Sequence, residues 1–572
     1  MQRRTVTVIY LFCVQPSFAL TAGSIKPGDT VGFVHGDNQR DTISLLISCL
    51  VTLGLCVYTA VHLNVPAKGE RYLQTMGREL KWCIIGLFAP ELVLYAAWRQ
   101  FASAKQLIDE VSRATTAAIG SHGEQKTMHA EKSVQTEETS LRGDDKRIYN
   151  WTLAHGFYGT MGGIAIDVDQ EDSYHPHIFG GAKRLTLTAK GVALLAHCGH
   201  LPDITLDDIK DKNKADSLAK VLVCFQAGWM IIQVICRQAL DLPSTLLEVH
   251  TVAHVVCALL MYAIWWHKPR QVACPTLLRG EGVLPLAAYM YSASRMSGQR
   301  PRGTFGRLLN PRPELKQLVY LEGQGANRKD ARRVDTASSE CEAIEALTCG
   351  RFVALPLSPT SSHKQELELT HAGDHSFTMR MRLATEAVAK YPAILSRFQK
   401  SEANTAGTFD HGQRRTHLLP YATELVQPYS LNWPNAGLLR RTESLIMGMT
   451  LWGASMAYGA IHVSAWRYFF PTPAEQLLWH LSSIWVTFCA AFWLMVHLLA
   501  YFFPIIDRIW VAYNERRLGL LWTGVITLLC VLCGVSFVGS RAFLVVEAFA
   551  SIRVVPRGVY DTPSWSQVFP HL

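Results

Sequence analysis

The sequence predicts an all-α membrane protein: about seven transmembrane helices in two blocks, with two long polar loops, partly disordered, between the spans. Three observations predict it. Hydrophobic residues make up 49% of the 572-residue chain and charged residues only 18%, where a soluble chain carries nearer a quarter. The apolar residues pile into runs near both ends, while the charges collect in two long stretches between them. Aromatic residues mark the ends of the runs, at Trp82, Trp98, Trp265, Trp266, Trp466, Tyr468, Trp479, Tyr501, Trp510 and Trp522. Rings with a polar handle settle at that headgroup level.

Residues 1–22, MQRRTVTVIYLFCVQPSFALTA, place two arginines before an apolar core and then small residues. This is the layout of a secretory signal peptide, and it predicts a plasma-membrane or endomembrane location reached by the secretory pathway. TISLLISCLVTLGLCVYTAVHL (42–63) is long enough to span a bilayer. WCIIGLFAPELVLYAAW (82–98) completes a first membrane pair over 42–98. The Pro90-Glu91 dipeptide at its centre makes it either a kinked span or a re-entrant segment.

Residues 99–216 form a polar loop. Its tract GEQKTMHAEKSVQTEETSLRGDDKR has too little apolar content to fold, and an ordered, membrane-proximal part begins at 151. A helix pair over 218–266 follows, LAKVLVCFQAGWMIIQVIC and LLEVHTVAHVVCALLMYAIWW, joined by RQALDLPST. Residues 267–443 are a long basic loop, partly helical: apolar residues at 383, 387, 391, 394 and 398 have helical spacing. A three-helix block over 444–539 comes next, with runs at 444–466, 479–503 and 518–539. On the first of these, Gly453 with Ala457 and Ser455 with Gly459 predict a close helix–helix seam. The tail 540–572 holds Glu547 in a short apolar stretch before an aromatic end, which predicts an interfacial segment.

Charge and cysteine usage narrow the function classes. Residues 267–443 hold 24 Lys and Arg against 16 Asp and Glu, so this segment supplies +8 of the net +9. The signs are mixed and no nucleic-acid motif accompanies them. Attraction of a basic loop to anionic lipid explains the excess, and no nucleic-acid partner is expected. Most cysteines fall in apolar runs, where a thiol packs as a small hydrophobe. Cys530 and Cys533 form a CxxC inside TLLCVLCGVSF, without the second ligand pair of a zinc site or a redox-fold context. Cys341 and Cys349 could pair only in an oxidising compartment.

Four polar side chains inside apolar runs are the candidate site. His250 and His254 are four apart and share a helix face, half of a metal site; a hydrogen-bonded interhelical contact is the alternative. Glu248 lies about 200° round the helix from His250 and does not complete a metal set. His462, His480, His497 and Glu91 could supply further ligands. Glu91 directly follows a proline that breaks a helix, an arrangement that exposes backbone groups to substrate in transporters. HCGH (197–200), YHPH (174–177) and GTMGG (159–163) lack the context of a metal or phosphate site. With no nucleophile motif and no cofactor cradle, no catalytic residue and no cofactor are predicted.

The segments CLVTLGLCVYTAVHLNVP (49–66), LKW…LFAPELVLYAAWRQ (80–100), HGFYGTMGG (155–163), DKNKADSLAKVLVCFQAGW (211–229), LEVHTVAHVVCALLMYAIWWHKP (247–269), AYGAIHVSAW (457–466) and PRGVYDTPSWSQVFPHL (556–572) are those by which the chain resembles a family of uncharacterised fungal multi-pass membrane proteins. The resemblance implies an integral membrane protein and supplies no activity and no catalytic residues.

Topology is open between two signals. If all seven helices span behind a cleaved signal peptide, both long loops and the sequon Asn150-Trp151-Thr152, a glycosylation candidate, lie outside. If 82–98 is re-entrant, everything after it inverts and the basic loops are cytosolic. The expected function is a membrane receptor or scaffold, seated in the lipid bilayer and binding a protein partner through 267–443. The alternatives are a proton-coupled transporter and a metal-dependent membrane enzyme using Glu91, Glu248, His250 and His254.

Overall fold

The computed structural model describes residues 30–35, 40–129, 150–168, 178–212, 217–294, 296, 319–320, 353–354, 379–380, 382–394, 425–433, 445–514 and 518–561. The expected signal peptide (1–22), the YHPH tract, Cys341, Cys349 and the last part of the tail lie outside the described residues, as does most of 267–443.

The chain is mostly helical. In order the helices are α1 (Thr42–Ala60), α2 (Tyr72–Phe88), α3 (Pro90–His129), α4 (Leu153–Thr160), α5 (Ala189–His197), α6 (Leu206–Asp211), α7 (Ser217–Ala239) and α8 (Leu246–Trp265). They continue as α9 (Leu284–Ser292), α10 (Leu445–Ser464), α11 (Pro473–Phe502), α12 (Pro504–Asn514) and α13 (Leu520–Ala550). Among the described residues, five helices are long and apolar enough to cross a membrane: α1, α7 from Lys220, α8, α11 and α13. The broken pair α2 and α3 passes the same test as one unit, bent by 114°. The expected count of about seven thus becomes five, or six with the bent pair. Helix α10 is not among the five; Gly448, Gly453, Ser455, Gly459 and His462 make it less apolar.

The two polar loops fold together, which the all-α expectation did not include. Strands β1 (Thr30–Val31), β2 (Ile164–Asp167), β3 (Arg184–Leu187), β4 (Thr276–Leu278), β5 (Val319–Tyr320), β6 (Val353–Ala354), β7 (Val426–Gln427) and β8 (Val555–Pro556) occur. Four of them make one sheet in the order β4-β2-β3-β7, with β2 parallel to β4 and the other pairs antiparallel. Its strands come from both loops. Its core joins Ile164, Leu185, Leu187, Val192, Leu195, Leu286, Met290, Leu425 and Val426 with Leu383 and Ala387 of a helical stretch at 382–390. Leu107 and Val111 of α3 are buried in this same core. The GTMGG tract is the turn between α4 and β2. Gly162 has φ +83°, and a Cβ there would meet Ser430 at 2.7 Å and Thr186 at 2.9 Å.

The helix bundle has a termini end and a domain end. At the termini end β1 pairs antiparallel with β8, Thr30 opposite Pro556. Arg237, at the end of α7, donates to the carbonyls of Pro243, Gly558, Val559 and Asp561. This ties the C-terminal segment to the α7–α8 turn. Because β1 and β8 meet, the chain between them crosses the bundle an even number of times. Helices α1, α7, α8, α10, α11 and α13 each run along the bundle, six passes between its two ends, α10 among them although it is less apolar than the other five. Helix α10 runs antiparallel to α11, with Gly448 against His497 and Gly459 against Thr487, and antiparallel to α8, with His462 against His250 and Tyr458 against His254.

The pair α2–α3 is not a pass, because both of its outer parts return to the domain end. Arg78 of α2 donates to Asn64 O at 3.0 Å, and Gln100 of α3 donates to Asn432 O at 3.0 Å. Asn64 N in turn donates to Asn432 Oδ1 at 2.6 Å. The hairpin dips into the bundle, turns at Ala89 and comes back. The last helix also differs from expectation: α13 does not stop at 539 but continues through Arg541 to Ala550. Residues 540–550 are helix within the bundle, and 551–561 pack at its termini end.

Candidate functional site: a buried polar cluster at the hairpin tip

Pro90 has no N–H to give to the preceding turn, so α2 ends there with its last carbonyls open. Two other helices fill the need. His254 Nε2 of α8 lies 2.7 Å from Leu87 O, and Arg541 Nη1 of α13 donates to Phe88 O at 3.0 Å. Glu91 sits in the first turn of α3, where the helix dipole favours a carboxylate. Its Oε1 is 2.8 Å from Arg541 Nη2, and both side chains are only 4% exposed. The guanidinium lies 3.9 Å from the centroid of the Tyr458 ring, which adds a cation–π contact. One arginine thus answers a carboxylate, an open carbonyl and a ring.

The histidines continue the cluster. His462 Nδ1 faces Tyr458 O at 2.8 Å and therefore carries the hydrogen. His462 Nε2 is then the acceptor for His250 Nδ1–H at 3.0 Å. His250 Nε2 is left buried without a partner, as is Glu91 Oε2. His254 differs: its Nδ1 faces His250 O at 3.0 Å and its Nε2 faces Leu87 O, so both nitrogens meet acceptors. A neutral imidazole can satisfy only one of them, and an imidazolium satisfies both. Trp479 closes the far side by donating to His462 O at 3.1 Å. A small apolar recess lined by Cys56, Gly86, Pro90, Val93, His254 and Met261 adjoins the tip.

The structure brings Glu91, His250 and His254 together and leaves Glu248 out. Glu248 is the third-position residue of the α8 capping box, accepting from Thr245 N at 2.8 Å, and it pairs with Arg40 at 2.5 Å. It works at the termini end. Among the described residues no group of three or more His, Cys, Asp or Glu side chains is arranged to hold a metal. His197 and His200 turn to separate partners, Glu110 at 3.3 Å and the Tyr391 hydroxyl at 2.5 Å. Asn150 is exposed, just before α4.

Sequence reasoning missed Arg541, Tyr458 and Lys268. Arg541 had a visible signal, a cation directly after an apolar run, but its anion is 450 positions away. Lys268 binds the hairpin to the domain. Its Nζ donates to His62 O at 2.5 Å, Asn64 Oδ1 at 2.9 Å and Gln100 Oε1 at 2.6 Å, over the face of Trp265. Burial pushes this amine well below the usual lysine range. Three acceptors and no donor around Nζ nevertheless require three N–H bonds, so the cage is built for the ammonium. Burial, and then the charges of Lys220 and Lys268, likewise hold His62 well below the ordinary imidazole value.

The sequence profile of a family of unknown function, DUF8562, matches residues 8–364 and 442–572, most of the chain, and the chain belongs to that family. No curated protein and no solved structure matches it.

Proposed function

We propose that this member of the DUF8562 family is an integral multi-pass membrane protein. It serves as a receptor or scaffold whose folded loop domain binds a protein partner on one side of the bilayer. Five apolar helices of spanning length support the membrane seat. The observation that carries the receptor reading is α3. One continuous helix holds Glu91 in the buried cluster and Leu107 and Val111 in the domain core. A partner that shifts the domain shifts the hairpin tip with it. The five helices of spanning length, α10 running beside them and the returning hairpin support a topology with both long loops on one side and both ends of the described chain on the other. With a cleaved signal peptide the loop side is the cytosol, and Asn150 stays unglycosylated.

The test is hydrogen exchange on the protein in nanodiscs, wild type against Glu91→Gln. Coupling predicts faster exchange in α4, β2 and α9 of the domain as well as at the hairpin. Faster exchange confined to residues 82–100 would refute it. A second reading, a proton-coupled carrier, is favoured by the unpartnered Glu91 Oε2 and His250 Nε2 beside a His254 ring facing two acceptors. It predicts a pH-driven flux in proteoliposomes that Glu91→Gln abolishes. A flux unchanged by that substitution would remove this reading.

A further inference from the structure

Cys489 of α11 and Cys533 of α13 face each other with their sulfurs 3.0 Å apart, and both are free thiols. They are one rung of the α11–α13 contact; the next is Trp485 Nε1 donating to Ser536 Oγ at 3.1 Å. Closing to a bonded distance of roughly 2.05 Å takes a shift of about 1 Å. Cys489 is about 24 Å from the start of α11 and Cys533 about 20 Å from the start of α13, at ~1.5 Å per residue. Both therefore sit deep in the bundle, away from either end. Cys489 is buried, whereas Cys533 is half-exposed on a helix whose apolar face, Leu529, Leu532 and Val535 among it, is open.

We propose that Cys489 and Cys533 form an interhelical disulfide when a lipid hydroperoxide reaches them through the acyl chains. The inference rests on the membrane reading above, since depth in the bilayer selects a lipid-borne oxidant over a water-borne one. The half-exposed Cys533 sulfur attacks the terminal oxygen of the hydroperoxide. The O–O bond breaks, the lipid leaves as its alcohol, and Cys533 becomes a sulfenic acid. The Cys489 sulfur then attacks the Cys533 sulfur and expels water. Two thiols lose two electrons and two hydrogens, and one hydroperoxide is reduced to one alcohol and one water. The product staples α13 to α11 two turns from Arg541, so oxidation fixes the helix that holds the hairpin tip.

The experiment uses the full chain in nanodiscs of plain phosphatidylcholine and in nanodiscs carrying phosphatidylcholine hydroperoxide. Free thiols are alkylated and unreduced peptides are mapped by mass spectrometry. The expected result is a Cys489–Cys533 cross-linked peptide that appears only with the hydroperoxide lipid. In the Cys489→Ser variant no cross-link forms and a dimedone adduct accumulates on Cys533. Full alkylation of both thiols under hydroperoxide, or a cross-link through Cys530 instead, overturns the proposal. Carbonate extraction of the source membranes tests the membrane reading separately. Closure by aqueous hydrogen peroxide alone at equal dose would retain the pair and reject the lipid route.

Discussion

Lys268 shows how much one side chain can organise. Its ammonium answers three oxygens from the α1–α2 loop and α3, and Asn64 and Gln100 pass the connection on to Asn432 of the domain. Lys268→Met keeps the stem and removes the donors, leaving three buried acceptors unmet. A buried unpaired polar group costs about 1–3 kcal/mol, so the variant should lose at least about 2 kcal/mol; an unchanged thermal midpoint in detergent would contradict this. His200 makes a pH-dependent case in the domain. Burial, and then Lys390, lower its pKa from the ordinary value, and its ring faces the Tyr391 hydroxyl. The folded state keeps the neutral ring while the unfolded chain takes up a proton below about pH 6.5. The stability His200 contributes is therefore whole above that pH and declines as pH falls through the window below it. His155, lowered chiefly by burial, adds in the same direction. Domain proteolysis should rise below about pH 6.5, and His200→Gln, an uncharged side chain that still offers an acceptor, should flatten that rise. An identical acid limb in the variant would count against the assignment.

Among the elements, α10 separates small residues that pack from small residues that do not. The spacing in its sequence offers two seams, Gly453 with Ala457 and Ser455 with Gly459. Only the second is used: a Cβ at Gly459 would stand 2.4 Å from Thr487 Oγ1 and 2.9 Å from Thr487 N, whereas Gly453 has open space. Gly459→Ala should force α10 off α11 and cost about 1–3 kcal/mol as overpacking. Gly453→Ala should be neutral or slightly stabilising, because alanine is the better helix former. Equal melting shifts for the two variants would contradict the packing.

The reasons some elements were legible and others not are physical. Long apolar runs announce helices locally, so α1, α7, α8, α11 and most of α13 could be read from the sequence. Strands β2 and β3 have four residues each and β4 three, too few for a period-two signal, and β4 and β7 come from a different loop altogether. Arg541 made α13 look finished because a charge in an apolar run is costly unless paired, and its pair is Glu91. Of the candidate site, Glu91, His250 and His254 were visible as polar residues in apolar runs. Their mutual arrangement depends on contacts across hundreds of residues.

At the scale of the whole molecule, the meeting of β1 with β8 requires an even number of passes, and the contacts of Asn64 and Asn432 assign the non-pass to α2–α3. In the proposed topology, whether residues on either side of the hairpin share one face of the bilayer depends on that hairpin. The most direct measurement labels single cysteines introduced at Lys68, Lys210 and Asp561 with an impermeant maleimide on sealed vesicles, each site read by peptide mass spectrometry. Positions 68 and 210 flank the hairpin and both should label from one side, with 561 labelling from the other. Labelling of 68 and 210 from opposite sides would make α2–α3 a true span and contradict the architecture at its centre.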